Sequence, residues 1–207
     1  MKMIAVAQNY LAHNKEMNSP LISQKMPPML FIKPESALLK DGKPFFYPDF
    51  SKNIHYETEI VVKINRLGKN IAKRFAHRYY DELTVGIDFT ARDLQTEMKK
   101  LGMPWEIAKG FDNSAAIGTF VRKEDLMKED GTIDFGLQIN SSWVQQGNTQ
   151  DMIHSVDEII EYASKFFTLK IGDLIFTGTP AGVGSVKIGD HLEGFANQQK
   201  LLDFYIR

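Results

Sequence analysis

The chain has 207 residues, 43% of them hydrophobic and 25% charged, with a formal net charge of −1. That length suits one domain around a single sizeable core, so residues 1–207 are expected to fold as one unit. Near-neutral charge gives no overall pull toward nucleic acid or an anionic membrane. The absence of cysteine excludes disulfides, thiolate metal sites and a cysteine nucleophile.

From the N-terminus, the apolar run Ile4–Ala7 is too short for a signal-peptide core, and no later stretch would span a bilayer. A cytoplasmic location is therefore expected. Tyr10–Glu16 reads as a short helix, followed by a loop through Pro20, Pro27 and Pro28 and a strand at Met29–Ile32. On that helix His13 and Glu16 are three residues apart and share a face. A carboxylate accepting from imidazole fixes its tautomer and raises its basicity, as suits a general base. Asp41-Gly42 and Pro44 form a turn.

Glu57–Ile64 reads as a strand rich in Glu, Ile and Val. Successive strand side chains alternate faces, so Glu57 and Glu59 point together while Tyr56, Thr58 and Ile60 point the other way. Two carboxylates at about 4 Å repel by about 4 kcal/mol in a partly screened site. Asp88 follows the apolar segment Leu83–Ile87 and precedes a helix start, a junction where an unpaired acid is costly. Three acidic groups without cysteine make a hard-ligand set that suits Mg²⁺ or Mn²⁺ over Zn²⁺.

Thr90 is expected to cap a helix with Asp93 as the reciprocal acid. Leu94, Met98 and Leu101 have helical spacing, and Gly102 with Pro104 stops it. Lys73-Arg74 and Lys99-Lys100 read as solvated charge, and Trp105 as packing. Lys109, among apolar residues, either reaches solvent or is held against an anion. Ile133, Phe135, Leu137 and Ile139 alternate as a half-exposed strand. Ser155 and Glu158 form a capping box ahead of the stripe Val156, Ile159, Ile160, Ala163 and Phe167.

Leu174–Thr177 is a strand entering the turn Gly178–Gly184, whose N–H groups could face an anion. That turn matches neither a phosphate-binding Walker loop nor a dinucleotide fingerprint, which argues against a nucleotide cofactor. Leu201–Ile206 reads as a closing strand. His55, His77, His154 and His191 have no partner nearby in sequence and read as structural or surface groups. Many strands and few irregularly spaced helices indicate a β-rich α+β fold.

The order of these segments resembles the fumarylacetoacetate hydrolase family over nearly the whole chain. The resemblance rests on His13-x-x-Glu16, Glu57-x-Glu59, Asp88, Thr90-Ala91-Arg92-Asp93-Leu94-Gln95, Lys109 and Ile171–Gly184. Lys99–Trp105 is most similar to the acylpyruvase/oxaloacetate decarboxylase subgroup. The resemblance implies a mixed β-sandwich roll, a homodimer, and Glu57, Glu59 and Asp88 as Mg²⁺ or Mn²⁺ ligands. It makes His13 and Glu16 a catalytic dyad on a lid of about residues 9–28. Lys109 becomes the lysine beside the metal, and Arg92, Gln95 and Thr179 contact substrate. Gln8 stands where relatives often carry a basic residue, and Ile87 replaces a common asparagine.

The implied chemistry is hydrolysis of acylpyruvates or decarboxylation of oxaloacetate, with a small 2-oxo acid as partner. Isomerisation or decarboxylation of 2-hydroxyhepta-2,4-diene-1,7-dioate and keto–enol tautomerisation of oxaloacetate are the enzymatic alternatives. A metal-stabilised binding protein is the non-enzymatic one.

Overall fold

The computed structural model describes residues 1–18 and 26–207. Its central strand is Thr58–Ile64, six of whose seven residues are buried, as expected of a strand covered on both faces. Ile60, Val62 and Ile64 pack in one cluster with Phe135 and with Ile159, Ile160 and Ala163 of the helix Val156–Phe166. Val61 points oppositely, into a cluster with Met3, Ala5, Ala115 and Phe176. This alternation places Glu59 on the same side as Val61.

The strand lies between Leu174–Phe176 and Tyr80–Asp88 in the largest sheet, pairing antiparallel to both. Beyond Leu174–Phe176 come Met3–Ala7, which pairs parallel to it, and then Met29–Lys33 at the sheet edge. On the other side Tyr80–Asp88 is followed by Ala115–Ile117 and Leu38–Leu39. An antiparallel sheet of Ser142–Asn148, Asp134–Ile139, His191–Ala196 and Gln199–Tyr205 forms a second layer. A third, small sheet joins Gly184–Ser185, Ile54–Tyr56 and Thr90–Ala91. Phe45, Phe89, Leu137, Leu192 and Phe204 fill a core with elements of these two sheets. The architecture is the expected strand-rich α+β type.

Most predicted elements appear within a residue or two of their expected ends. The helix Leu11–Glu16, the strand Met29–Lys33 and the Asp41-Gly42 turn are present. At Ser155 both halves of the capping box are made, with the Glu158 carboxylate accepting from Ser155 N at 2.9 Å. Pro20 falls outside the described residues.

Three details differ. The strand begins at Thr58, and Glu57 occupies the break where the chain leaves the small sheet for the large one. Thr90 caps nothing: it pairs with His55, and the helix Arg92–Leu101 starts after Ala91 without a side-chain cap. Asp93 instead accepts from Ser51 Oγ at 2.7 Å and from Lys52 N at 2.9 Å, which ties the helix start to a preceding loop. Leu101, expected in the apolar stripe, is 63% exposed, so the buried face runs through Arg92, Gln95 and Met98. Gly102 ends the helix at φ +65°, a conformation glycine adopts without penalty. Among the described residues no helix is long and apolar enough to cross a membrane.

Candidate active site

Two strands and the break before one of them bring Glu57, Glu59 and Asp88 together. Each is at most 6% exposed, and one carboxylate oxygen from each lies within 4.8 Å of the others. The register explains the meeting. Glu59 pairs with Gly86 and Thr58 with Ile87, so the end of Tyr80–Asp88 runs beside the Glu57–Glu59 corner. Asp88 N donates to Glu57 O at 2.8 Å, locking that corner.

Lys109 closes the cluster from the short helix Glu106–Lys109. Its Nζ lies 2.7 Å from Glu57 Oε2, 2.7 Å from Asp88 Oδ2 and 2.6 Å from Thr90 Oγ1. Burial alone would lower the Lys109 pKa, but Asp88 and Glu57 outweigh it and hold it above its ordinary value. Lys109 is thus a fixed buried cation rather than a solvent-seeking one. This also explains Thr90, whose hydroxyl is committed to the lysine.

Arg92 donates to Glu57 Oε1 and, at 2.6 Å, to Gln95 Oε1. Burial pushes the Glu57 carboxyl up, yet Lys109 and Arg92 overcome this and hold it well below the usual range. Glu59 has no such help. Its Oε2 accepts from Gly178 N at 2.7 Å, and burial followed by the Asp88 charge holds its pKa well above normal. Among the described residues Glu59 pairs with no cation. Three buried carboxylates, all oxygen ligands and one of them, Glu59, without a cation of its own, fit a hard divalent cation such as Mg²⁺ or Mn²⁺.

That fit predicts a pH dependence. A cation needs the Glu59 carboxylate, whereas the folded protein favours its protonated form, so protons compete with metal. Mg²⁺ affinity should therefore rise with pH from the ordinary carboxylate range up to the raised Glu59 value, by up to about tenfold per unit. Calorimetry in buffers of different ionisation enthalpy should record the released proton; an affinity that does not change with pH would refute this reading.

His13 reaches the cavity from the helix Leu11–Glu16. Gln8, at φ +61°, turns the chain out of the first strand. Asn9 fixes the junction, its buried amide donating to His154 O at 2.9 Å and Thr177 O at 2.8 Å and accepting from His154 N at 2.8 Å. Asn14 Nδ2 donates to Gln8 O at 3.0 Å. His13 Nδ1 lies 3.3 Å from Glu16 Oε2, and the Glu16 carboxylate accepts from Gly182 N at 3.0 Å. The glycine-rich turn therefore presents N–H groups to two carboxylates of the protein itself, Glu59 and Glu16.

His13, Lys109, Glu57, Glu59, Asp88, Arg92, Gln95 and Thr179 all line one cavity; Glu16 stands behind His13. Of the expected lid, residues 19–25 lie outside the described residues. Trp105 and Lys99, read from sequence as packing and solvated charge, also line the cavity.

Sequence reasoning missed two further residues. Lys33 is fully buried; its Nζ lies 2.7 Å from Asp88 Oδ1, off the ideal hydrogen-bond direction, and donates to Ser114 O at 3.0 Å and Ser114 Oγ at 2.9 Å. Gln145 Oε1 accepts from Thr58 N at 3.0 Å, and its Nε2 donates to Thr179 Oγ1 and Pro180 O, each at 2.8 Å. Neither stands near the site in sequence, and only an apolar setting for Lys33 hinted at a role. Elsewhere His191 lies 2.7 Å from Asp203 Oδ1 and stacks on Tyr205, and Lys200 bridges the Glu193 and Asp203 carboxylates.

Residues 2–202 match the family model described as fumarylacetoacetate (FAA) hydrolase C-terminal. The chain belongs to the fumarylacetoacetate hydrolase family. Within the family it is 40% identical over 191 residues to the mitochondrial oxaloacetate tautomerase FAHD1 of Rattus norvegicus, covering 92% of this chain and 85% of the relative. Identity to the oxaloacetate tautomerase YcgM of Escherichia coli K12 is also 40% over 191 residues, covering 92% of this chain and 86% of the relative. A crystal structure of fumarylpyruvate hydrolase from Pseudomonas aeruginosa, in complex with Mn²⁺ and pyruvate, superposes with a TM-score of 0.89 at 35% identity. That match covers all of this chain and 89% of the other.

Proposed function

We propose that this member of the family is a divalent-metal-dependent enzyme that interconverts the keto and enol forms of oxaloacetate or a similar short 2-oxo acid. We further propose that it works as a cytoplasmic homodimer. The observation that carries this reading is the convergence of the buried carboxylate trio, Lys109 and His13 on one small cavity. The 40% identity to two oxaloacetate tautomerases supports the choice of reaction.

Keto–enol exchange moves one proton between C3 and the oxygen on C2. Glu57, Glu59 and Asp88 would hold Mg²⁺ or Mn²⁺, whose Lewis acidity acidifies the C3 proton of a 2-oxo acid. His13, bonded through Nδ1 to Glu16, is the base that takes this proton from C3 and, as the imidazolium so formed, returns one to the C2 oxygen to complete the enol. Lys109, charged and fixed, steadies negative charge growing on the substrate oxygen. Arg92, Gln95 and Thr179 orient the acid in the cavity.

A second reading, cleavage of an acylpyruvate by water activated at the same dyad, is favoured by the likeness to the fumarylpyruvate hydrolase structure. One experiment ranks the two. Decay of enol-oxaloacetate and cleavage of acetylpyruvate are followed with Mg²⁺-loaded, chelator-stripped and reloaded protein. The expected result is fast enol decay that disappears on stripping and returns with Mg²⁺. Faster cleavage of acetylpyruvate would put hydrolysis first. A thermal shift with Mg²⁺ and no turnover of either compound would favour a metal-stabilised binding protein.

A further inference from the structure

Three cationic side chains line the cavity, and two are already committed. Arg92 is held by Glu57 and Gln95, and Lys109 by Glu57, Asp88 and Thr90. Among the described residues the Lys99 ammonium has neither an ion-pair nor a hydrogen-bond partner. Its Nζ sits 5.3 Å from the centre of the Trp105 ring, a contact that steadies the side chain without neutralising it.

The helix Arg92–Leu101 gives Lys99 its direction. Arg92, Gln95 and Lys99 fall at spacings of three and four, so they form one stripe along a single face. Arg92 marks the carboxylate end of that stripe, and Lys99 lies about 10 Å further along the axis. Helical side chains lean toward the N-terminus, which brings the lysine back over Gln95 toward the cavity. Lys99 is an exposed residue, yet partial desolvation at the cavity rim and the Arg92 charge both lower its pKa, and Glu57 and Lys109 also act on it, so its ammonium is within electrostatic reach of the site. Around the rest of the wall, Val6, Ala7, Gln8, Met17 and Phe31 are uncharged.

We propose that Lys99, steadied by Trp105, receives the second carboxylate of a short 2-oxo dicarboxylic acid and so selects dicarboxylic over monocarboxylic substrates. The 2-oxo acid end of the molecule takes the carboxylate-trio end of the cavity, and its distal carboxylate points along the stripe past Gln95. The inference rests on the 2-oxo acid reading above and adds to it the residue that receives the distal carboxylate. An incoming carboxylate relieves the crowding that Arg92 imposes on Lys99, so the pairing favours both groups.

The test compares wild type, Lys99→Met and Lys99→Arg as Mg²⁺-loaded proteins. Calorimetry measures binding of 3,3-difluoro-oxaloacetate, which has no C3 proton to lose, and of pyruvate, which has no distal carboxylate. Loss of one charge-assisted contact should weaken the dicarboxylate about 10- to 100-fold in Lys99→Met. Pyruvate affinity should fall far less, and Lys99→Arg should recover most of the dicarboxylate affinity. Turnover is read in parallel, with a raised KM for oxaloacetate expected rather than a lowered kcat. Equal weakening of both ligands, or of neither, would overturn the proposal. Failure of the tautomerase reading looks different: wild type would then bind the dicarboxylate through Lys99 yet turn over nothing.

Discussion

Asp88→Ala should abolish Mg²⁺ binding and turnover together, and lower the stability of the metal-free protein by about 3–5 kcal/mol, the usual cost of stranding a buried charge. The activity loss follows from removing one of three converging oxygens. The stability loss follows from Lys33, which is fully buried and whose ion-pair partner is Asp88. Burial pulls the Lys33 pKa down and the Asp88 charge is the strongest influence opposing it, so the variant leaves an ammonium among neutral carbonyls and a hydroxyl.

Urea unfolding and Mg²⁺ calorimetry separate the two effects. Replacing both partners, as Lys33→Met with Asp88→Leu, should recover much of the stability, because apolar side chains of similar size avoid the stranded charge. The double variant should still bind no metal. Wild-type Mg²⁺ affinity in Asp88→Ala would refute the assigned site.

The second large effect is kinetic. His13→Ala should keep Mg²⁺ affinity near wild type while kcat falls about 10²- to 10⁴-fold, the range for a lost positioned base. The separation is expected because His13 bonds to Glu16 rather than to any member of the carboxylate trio. Glu16→Gln should be milder, since an amide oxygen can still accept from Gly182 N. Metal affinity is read by calorimetry and kcat by enol decay. If His13→Ala lost metal but retained proportionate turnover at saturating Mg²⁺, the histidine would be structural.

Much of the site was legible in the chain because its acids follow local rules. Two-residue spacing pairs Glu57 with Glu59, and three-residue spacing pairs His13 with Glu16. The capping box at Ser155 was legible for the same reason. The errors lie where a partner is remote. Thr90 has the sequence of a cap, but its hydroxyl serves Lys109 and its backbone pairs with His55. Lys33 reaches Asp88 across the sheet, and Gln145 reaches Thr58 from the second layer, so no local pattern marks either. Lys99 and Lys100 read as solvated charge and both are exposed, but the doublet does not reveal that Lys99 also borders the cavity.

The Glu16 bond to Gly182 N joins groups 166 residues apart, while Glu57, Asp88 and Lys109 come from the middle of the chain. Glu59 hangs on the same turn through Gly178 N, so neither the acidic trio nor the base can be fixed before that C-terminal segment has been made. Competence for proton transfer therefore arrives late in synthesis, when the C-terminal segment closes on the N-terminal one.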